Sequence, residues 1–344
     1  MSKLKLLGVF ACGLFMVITL GCASTSGAAP EWVTEPESVY NSKEYLLAVG
    51  SGDDKKEAES DALSLLARSI HQNVVATTES SKTFDGNNSA GFNTNYDYVG
   101  TVIAASTIKD IPGVTFPETW IAKNGTVYTL ALLNRQEAGK YYRQKIADLT
   151  AVVESEIVFA DGNKGSFAAL TALQNAVQTA WENQKYLDTL AGINSSMYHS
   201  ISLDYGSAQA VEVLATRQKE YIVVAVEVEG DSNGRIATVL ESILSDLGLK
   251  AAASSDATAT YLFRGKVTMS QLQLDNKYEN ARFVIDVDLV EKASGKVLFP
   301  YSKNGRESHV SYSEAVQRAY RTLETTLKKE FSSQFLSFLN SDPK

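Results

Sequence analysis

Cysteine is nearly absent from this chain: its 344 residues hold two, Cys12 and Cys22, together with only three histidines and six prolines. So few thiols exclude a disulfide-stapled scaffold. The histidines, His71, His199 and His309, are widely separated, and none has a second His, a Cys or an acid at metal-ligand spacing. Neither H-E-x-x-H nor G-x-S-x-G occurs, so no metal site, cofactor or catalytic residue is expected and the chain reads as a non-enzyme. Positive charge is also scarce. Against 40 acidic residues stand 32 lysines and arginines, for a net charge of −8 and no concentrated basic stripe. That argues against a nucleic-acid partner and against electrostatic adhesion to anionic lipid.

What is present begins at the amino terminus. Lys3 and Lys5 precede an uncharged apolar run, Leu6 to Leu20, that ends at Gly21-Cys22. The run is shorter than the roughly 20 residues that cross a bilayer, so residues 1–21 read as a signal peptide and not as a permanent span. "TLGCAS" resembles the bacterial lipobox, in which cleavage before the cysteine is coupled to its acylation. Cys22 is therefore the expected lipidation site, carrying palmitate-type chains that hold the protein on a membrane. Each buried methylene contributes about 0.8 kcal/mol, and two or more chains anchor stably. Loss of residues 1–21 removes two lysines and no acids, which takes the net charge to −10. Ala23 and Ser24 permit the outer membrane, on either its periplasmic face or the cell surface.

Residues 22–30 are small and polar and predict a tether. After it, "EYLLAVGSG" reads as a strand and a turn. Ala58, Ala62, Leu65, Leu66, Ile70 and Val74 then recur at helical spacing for about five turns, and "VVATTESSKTF" is expected to leave that helix as a strand. The Asn/Gly-rich stretch 85–98 predicts a long loop in which Phe92, Tyr96 and Tyr98 are candidate contact residues. "VTFPETWIAK" and "TVYTLALLNR" flank Asn124-Gly125 and predict a tight hairpin, with Pro117 near a strand start or on an edge. Residues 136–192 read as an αα-hairpin broken at "ADGNKG", and 193–220 as a connector. Residues 221–344 predict a β-α-β-β-β-α domain with a mostly antiparallel sheet. The whole chain is α+β.

Two patterns invite a chemical reading. Gly50 and Gly52 fit the first two positions of G-x-G-x-x-G, but Lys55 holds the third. Asp53 and Asp54 stand at the helix amino terminus where a phosphate would bind, and are expected to cap the helix instead, at about 0.5–1 kcal/mol each. Glu227 and Glu229, and likewise Asp286 and Asp288, each share one face of a strand, as do Arg264 and Lys266. If the strand bearing the basic pair lies between the other two, opposite charges become cross-strand neighbours. That order is the expectation.

Pro30, Trp32, "YLLAVGSG", the alanine-punctuated "AESDALSLLA" and "YTLALLNR" together resemble the LPP-twenty lipoproteins over about residues 30–150. The resemblance implies a bacterial outer-membrane lipoprotein with a β-α-β(hairpin) domain over residues 31–135 and offers no catalytic residues. It also implies envelope proteins as partners, and a homo-oligomer is compatible, since related domains build rings. The resulting expectation is a non-catalytic structural or assembly component. The alternative is a lipoprotein that binds a small molecule or lipid.

Overall fold

The computed structural model describes residues 27–84, 111–275 and 277–340, with backbone alone over 78–84. Cys22, Phe92, Tyr96, Tyr98 and the loop 85–98 lie outside the described residues. The chain forms two units, Met1–Tyr141 with Thr189–Tyr198, and Tyr142–Asp188 with His199–Lys344.

The first unit opens with two short helices, α1 (Glu31–Thr34) and α2 (Pro36–Val39), then β1 (Tyr45–Gly52) and the long α3 (Lys55–Phe84). β2 (Val114–Ile121) and β3 (Val127–Asn134) complete an antiparallel sheet in the order β1-β3-β2. The hairpin turn places Gly125 at φ +90°, with its N–H donating to the Ala122 carbonyl. The start of the described chain, Gly27, lies against the Lys123 side chain beside this turn. Pro117 sits on edge strand β2 at a register shift between Thr115 and Glu118, where its missing N–H breaks no ladder bond.

One expectation fails here. Residues 74–84 do not leave as a strand but prolong α3 to Phe84. The β-branched run Val74-Val75-Ala76-Thr77 has weak helix propensity, yet Ile70 and Val74 are buried against Gly192, and packing overrides the local preference.

Two long helices follow, α4 (Arg135–Gly162) and α5 (Phe167–Ile193), separated at Gly165 in a left-handed conformation, φ +80°. The boundary between the two units falls inside both. The region 193–220 is not a plain connector: it holds α6 (Ser195–His199) and α7 (Ala208–Tyr221). Ser207 caps α7 by accepting from the Ala210 N–H, and Ala208 and Val211 are buried with Val153, Ala176 and Ala180.

The second unit then builds β4 (Val223–Glu229), α8 (Arg235–Asp246), β5 (Lys250–Ala253), β6 (Tyr261–Leu272), β7 (Glu279–Glu291) and β8 (Val297–His309), and ends in α9 (Tyr312–Thr326), a π-helical turn (Leu327–Phe331) and α10 (Ser332–Leu339). Sheet order is β5-β4-β6-β7-β8. β4 is parallel to both β5 and β6, whereas the longer β6–β7 and β7–β8 ladders are antiparallel. β5 is a strand beyond the expected set. In α8, Ile236, Val239, Leu240, Ile243 and Leu244 are buried, and Gly248 ends the helical segment at φ +78°.

The last helical segment buries Ala315, Ala319, Leu323, Leu327, Phe331, Phe335 and Leu339, one residue in every four. Four residues of α-helix advance about 400°, so such a stripe would drift by about 40° per step. A π-turn has more residues per turn and takes back part of that drift, which keeps Phe331 and Phe335 aimed at the same core.

Candidate functional site

The strand-turn-helix after β1 is closed to phosphate. A side chain on Gly50 would come within 2.1 Å of the Ala62 nitrogen and 2.4 Å of the Ala58 carbonyl, so the glycine exists to let β1 lie directly on α3. Gly52 faces the Ala58 nitrogen in the same way. Three backbone donors that an anion would use are already taken by carboxylates: Ser51 N–H by Asp61 (2.9 Å), Asp53 N–H by Glu57 (2.8 Å) and Glu57 N–H by Asp54 (2.8 Å). Asp54 caps the helix as expected. Asp53 takes part through its backbone N–H, which donates to the Glu57 carboxylate one residue ahead of the capping Asp54.

The charged residues of the second sheet pair with one another. β6 lies between β4 and β7, as the alternation of charges predicts. Arg264 stands opposite Glu227 on one side and Asp288 on the other, and Lys266 opposite Glu229 and Asp286. Arg264 Nη2 reaches Asp288 at 3.1 Å and Lys266 Nζ reaches Glu229 at 3.0 Å. These exposed pairs each contribute about 0.2–1 kcal/mol. Among the described residues no group of three or more His, Cys, Asp or Glu is placed to hold a metal ion. His71, His199 and His309 sit on α3, α6 and the end of β8.

The second unit also contains an open groove of about 420 Å³. Its walls carry the carboxamides of Gln174, Asn175, Gln178 and Asn340 and the charges of Glu212 and Lys219. Glu212 is held by the Trp181 indole N–H at 2.8 Å, and Gln174 donates to Asn340 at 3.2 Å. Sequence reasoning missed the groove because one wall is α7, in the stretch read as a connector. The available signal was Ser207 followed by apolar residues at 208 and 211, a capped helix start.

Near the groove, α5 carries a buried polar set. Asn183 donates to Thr150 and to the Tyr205 hydroxyl, both at 2.9 Å. One turn further on, burial pushes the Asp188 carboxyl up to about 6, with the Gln184 amide partly opposing the shift. The outer surface of α4 is apolar in places: Val152 is 45% exposed, Val158 72% and Phe159 48%.

The residues that carried the family resemblance are packing residues here. Trp32 is buried with Trp120 and Leu130 on the outer face of the small sheet. Arg135, which follows β3, donates to the Ser42 and Ile193 carbonyls at 2.9 and 2.7 Å, and its burial lowers the guanidinium pKa.

Comparison with known proteins agrees with that segment. The family model described as LPP20 lipoprotein matches residues 30–134. No curated protein matches the chain. Among solved structures, a secreted protein of Helicobacter pylori is 13% identical with a TM-score of 0.41, covering 84% of this chain and 98% of its own. A minor lipoprotein of Acinetobacter baumannii is 14% identical with a TM-score of 0.26, covering 33% of this chain and 93% of its own. A lipoprotein of Neisseria meningitidis is 12% identical with a TM-score of 0.22, covering 31% and 98%.

Proposed function

We propose, from the LPP20 lipoprotein match over residues 30–134, that this protein is a bacterial envelope lipoprotein held at the outer membrane by acyl chains on Cys22, and that it serves as a non-catalytic structural or assembly component. The observation that carries this reading is the placement of the match behind an amino-terminal stretch that reads as a signal peptide and ends in a lipobox-like Gly21-Cys22. Two features support it. The loop that looks built for phosphate satisfies its backbone donors internally. The apolar residues on the outside of α4 suit contact with another protein better than exposure to water. Among the described residues no helix is long and apolar enough to cross a membrane.

Crosslinking in cells followed by pull-down and mass spectrometry tests the reading. The expected product begins at an acylated Cys22 and carries an envelope protein with it. An unacylated product, or a co-purified lipid with no protein partner, overturns it. The groove of about 420 Å³ favours a second reading, a binding lipoprotein, and its amide-rich walls suit a polar ligand. In that case an Ala215→Trp substitution, which fills the groove, abolishes ligand uptake and leaves crosslinking unchanged.

A further inference from the structure

We infer that Arg282 and Arg306 form a binding site for a phosphate dianion on the open face of the second unit's sheet. The two are direct cross-strand partners in the β7–β8 register. Ala281 and Phe283, on either side of Arg282, are buried, whereas Arg282 and Arg306 are exposed, so both arginines project from the face that the helices leave uncovered. Opposed residues in such a pair stand roughly 5 Å apart at Cβ, and like charges there repel.

The rest of this face avoids that arrangement, since Arg264 and Lys266 each stand between two acids. The arginine pair has only neutral neighbours in the ladder: Ser270 opposite Arg282 on β6, Asn280 and Val284 along β7, and Asn304 and Ser308 along β8. Ser308 donates to Asn280 at 2.6 Å, which ties the two strands together beside the pair. Among the described residues neither guanidinium has an ion pair. In a chain with more acids than bases, two unneutralised arginines placed face to face select for an anion from outside.

Their chemistry narrows the class. Two guanidiniums carry two charges and planar forks of N–H donors, which match a phosphate dianion in charge and in acceptor oxygens, while one carboxylate leaves a charge uncompensated. The phosphate has two sources, a lipid headgroup or a free ion. Exposed Leu274 at the β6–β7 turn and Val310 after β8 lie at the same end of the sheet and suit the headgroup. The site is independent of acylation at Cys22.

Thermal unfolding of the detergent-solubilised full chain tests the inference, with inorganic phosphate, dihexanoyl phosphatidic acid, succinate or sodium chloride added at matched ionic strength. The expected result is a Tm that rises with phosphate concentration. Arg282→Gln and Arg306→Gln each raise the half-saturating concentration about tenfold or more. In chloride alone both variants melt at or above the wild-type temperature, because the repulsion is gone, which separates lost binding from lost folding. Phosphatidic acid acting at about tenfold lower concentration than phosphate identifies the headgroup as the source; equal potency identifies the free ion. A wild type that responds to neither, a response retained in both variants, or succinate as effective as phosphate overturns the site.

Discussion

The two units solve the problem of packing helix on sheet in opposite ways. In the first, the seam is made of the smallest residues: Gly50 and Gly52 on β1 meet Ala58 and Ala62 on α3, and Gly192 meets Ile70 and Val74 further along the same helix. In the second, the core is filled by rings. Phe331 and Phe335 pack against each other and each against Phe263 and Phe299, with ring centroids 5.1 to 5.9 Å apart, and the Tyr261 ring lies 4.5 Å from that of Phe167. A small-residue seam gains stability from close backbone approach and tolerates no added atom, whereas an aromatic core gains it from buried area and suffers most when atoms are removed.

That contrast is open to direct attack. The largest effect is expected from Phe331→Ala, which empties a fully buried site and should destabilise the second unit by about 3–5 kcal/mol. Hydrogen exchange then shows protection lost across β6–β8 and kept in β1 and α3; uniform loss would mean that the units do not unfold separately. Next comes Asp188. Its folded-state carboxyl titrates near 6 against 3.8 for the ordinary group, so the native state binds the proton more tightly. The stability this gives is complete below pH 3.8 and is lost as pH rises through 6, a swing on the order of 3 kcal/mol. Asp188→Asn should therefore stabilise the chain at pH 7.5 and lose that advantage below pH 4, as urea midpoints across that range would show. A variant no more stable at pH 7.5 argues against burial as the cause.

Gly50→Ala inverts the logic of Phe331→Ala by adding one carbon where there is no room. Overpacking of this kind costs about 1–3 kcal/mol, confined here to β1 and α3. A Gly50→Ala protein as stable as wild type would show that the seam is not tight. Smallest of all is Lys266→Ala, which breaks one exposed pair and should change stability by less than about 1 kcal/mol, an effect that fades in high salt.

Much of this was legible in the sequence, for reasons that separate its parts. The α8 stripe, the stop at Gly248 and the Asn124-Gly125 hairpin are local patterns. The position of β6 followed from charge alternation, a rule about near neighbours on a sheet. β5 was not legible because Lys250-Ala251-Ala252-Ala253 has no strand character of its own and forms by lying parallel to β4. The length of α3 was hidden because local β-branched preference yielded to packing against Gly192, a residue more than a hundred positions away. The π-turn did leave a trace, the four-residue stride from Ala315 to Leu339, which no regular α-helix can keep on one side. Of the candidate sites, the alternation of Arg264 and Lys266 with the acids of β4 and β7 was foreseen, whereas the Arg282–Arg306 pair on the same face was not, because it depends on the β7–β8 register. The groove was not, because it joins α5, α7 and Asn340 from three separate parts of the chain.

The contact between Gly27 and Lys123 sets a short leash. Four residues lie between Cys22 and Gly27, which makes five steps along the chain, and a fully stretched chain spans at most about 3.6 Å per step. Acyl chains on Cys22, as proposed above, would therefore attach within about 18 Å of Gly27. On that proposal the first unit is moored at the end of its small sheet that carries Lys123, and lengthening the leash at residues 23–26 would free that end without touching the fold.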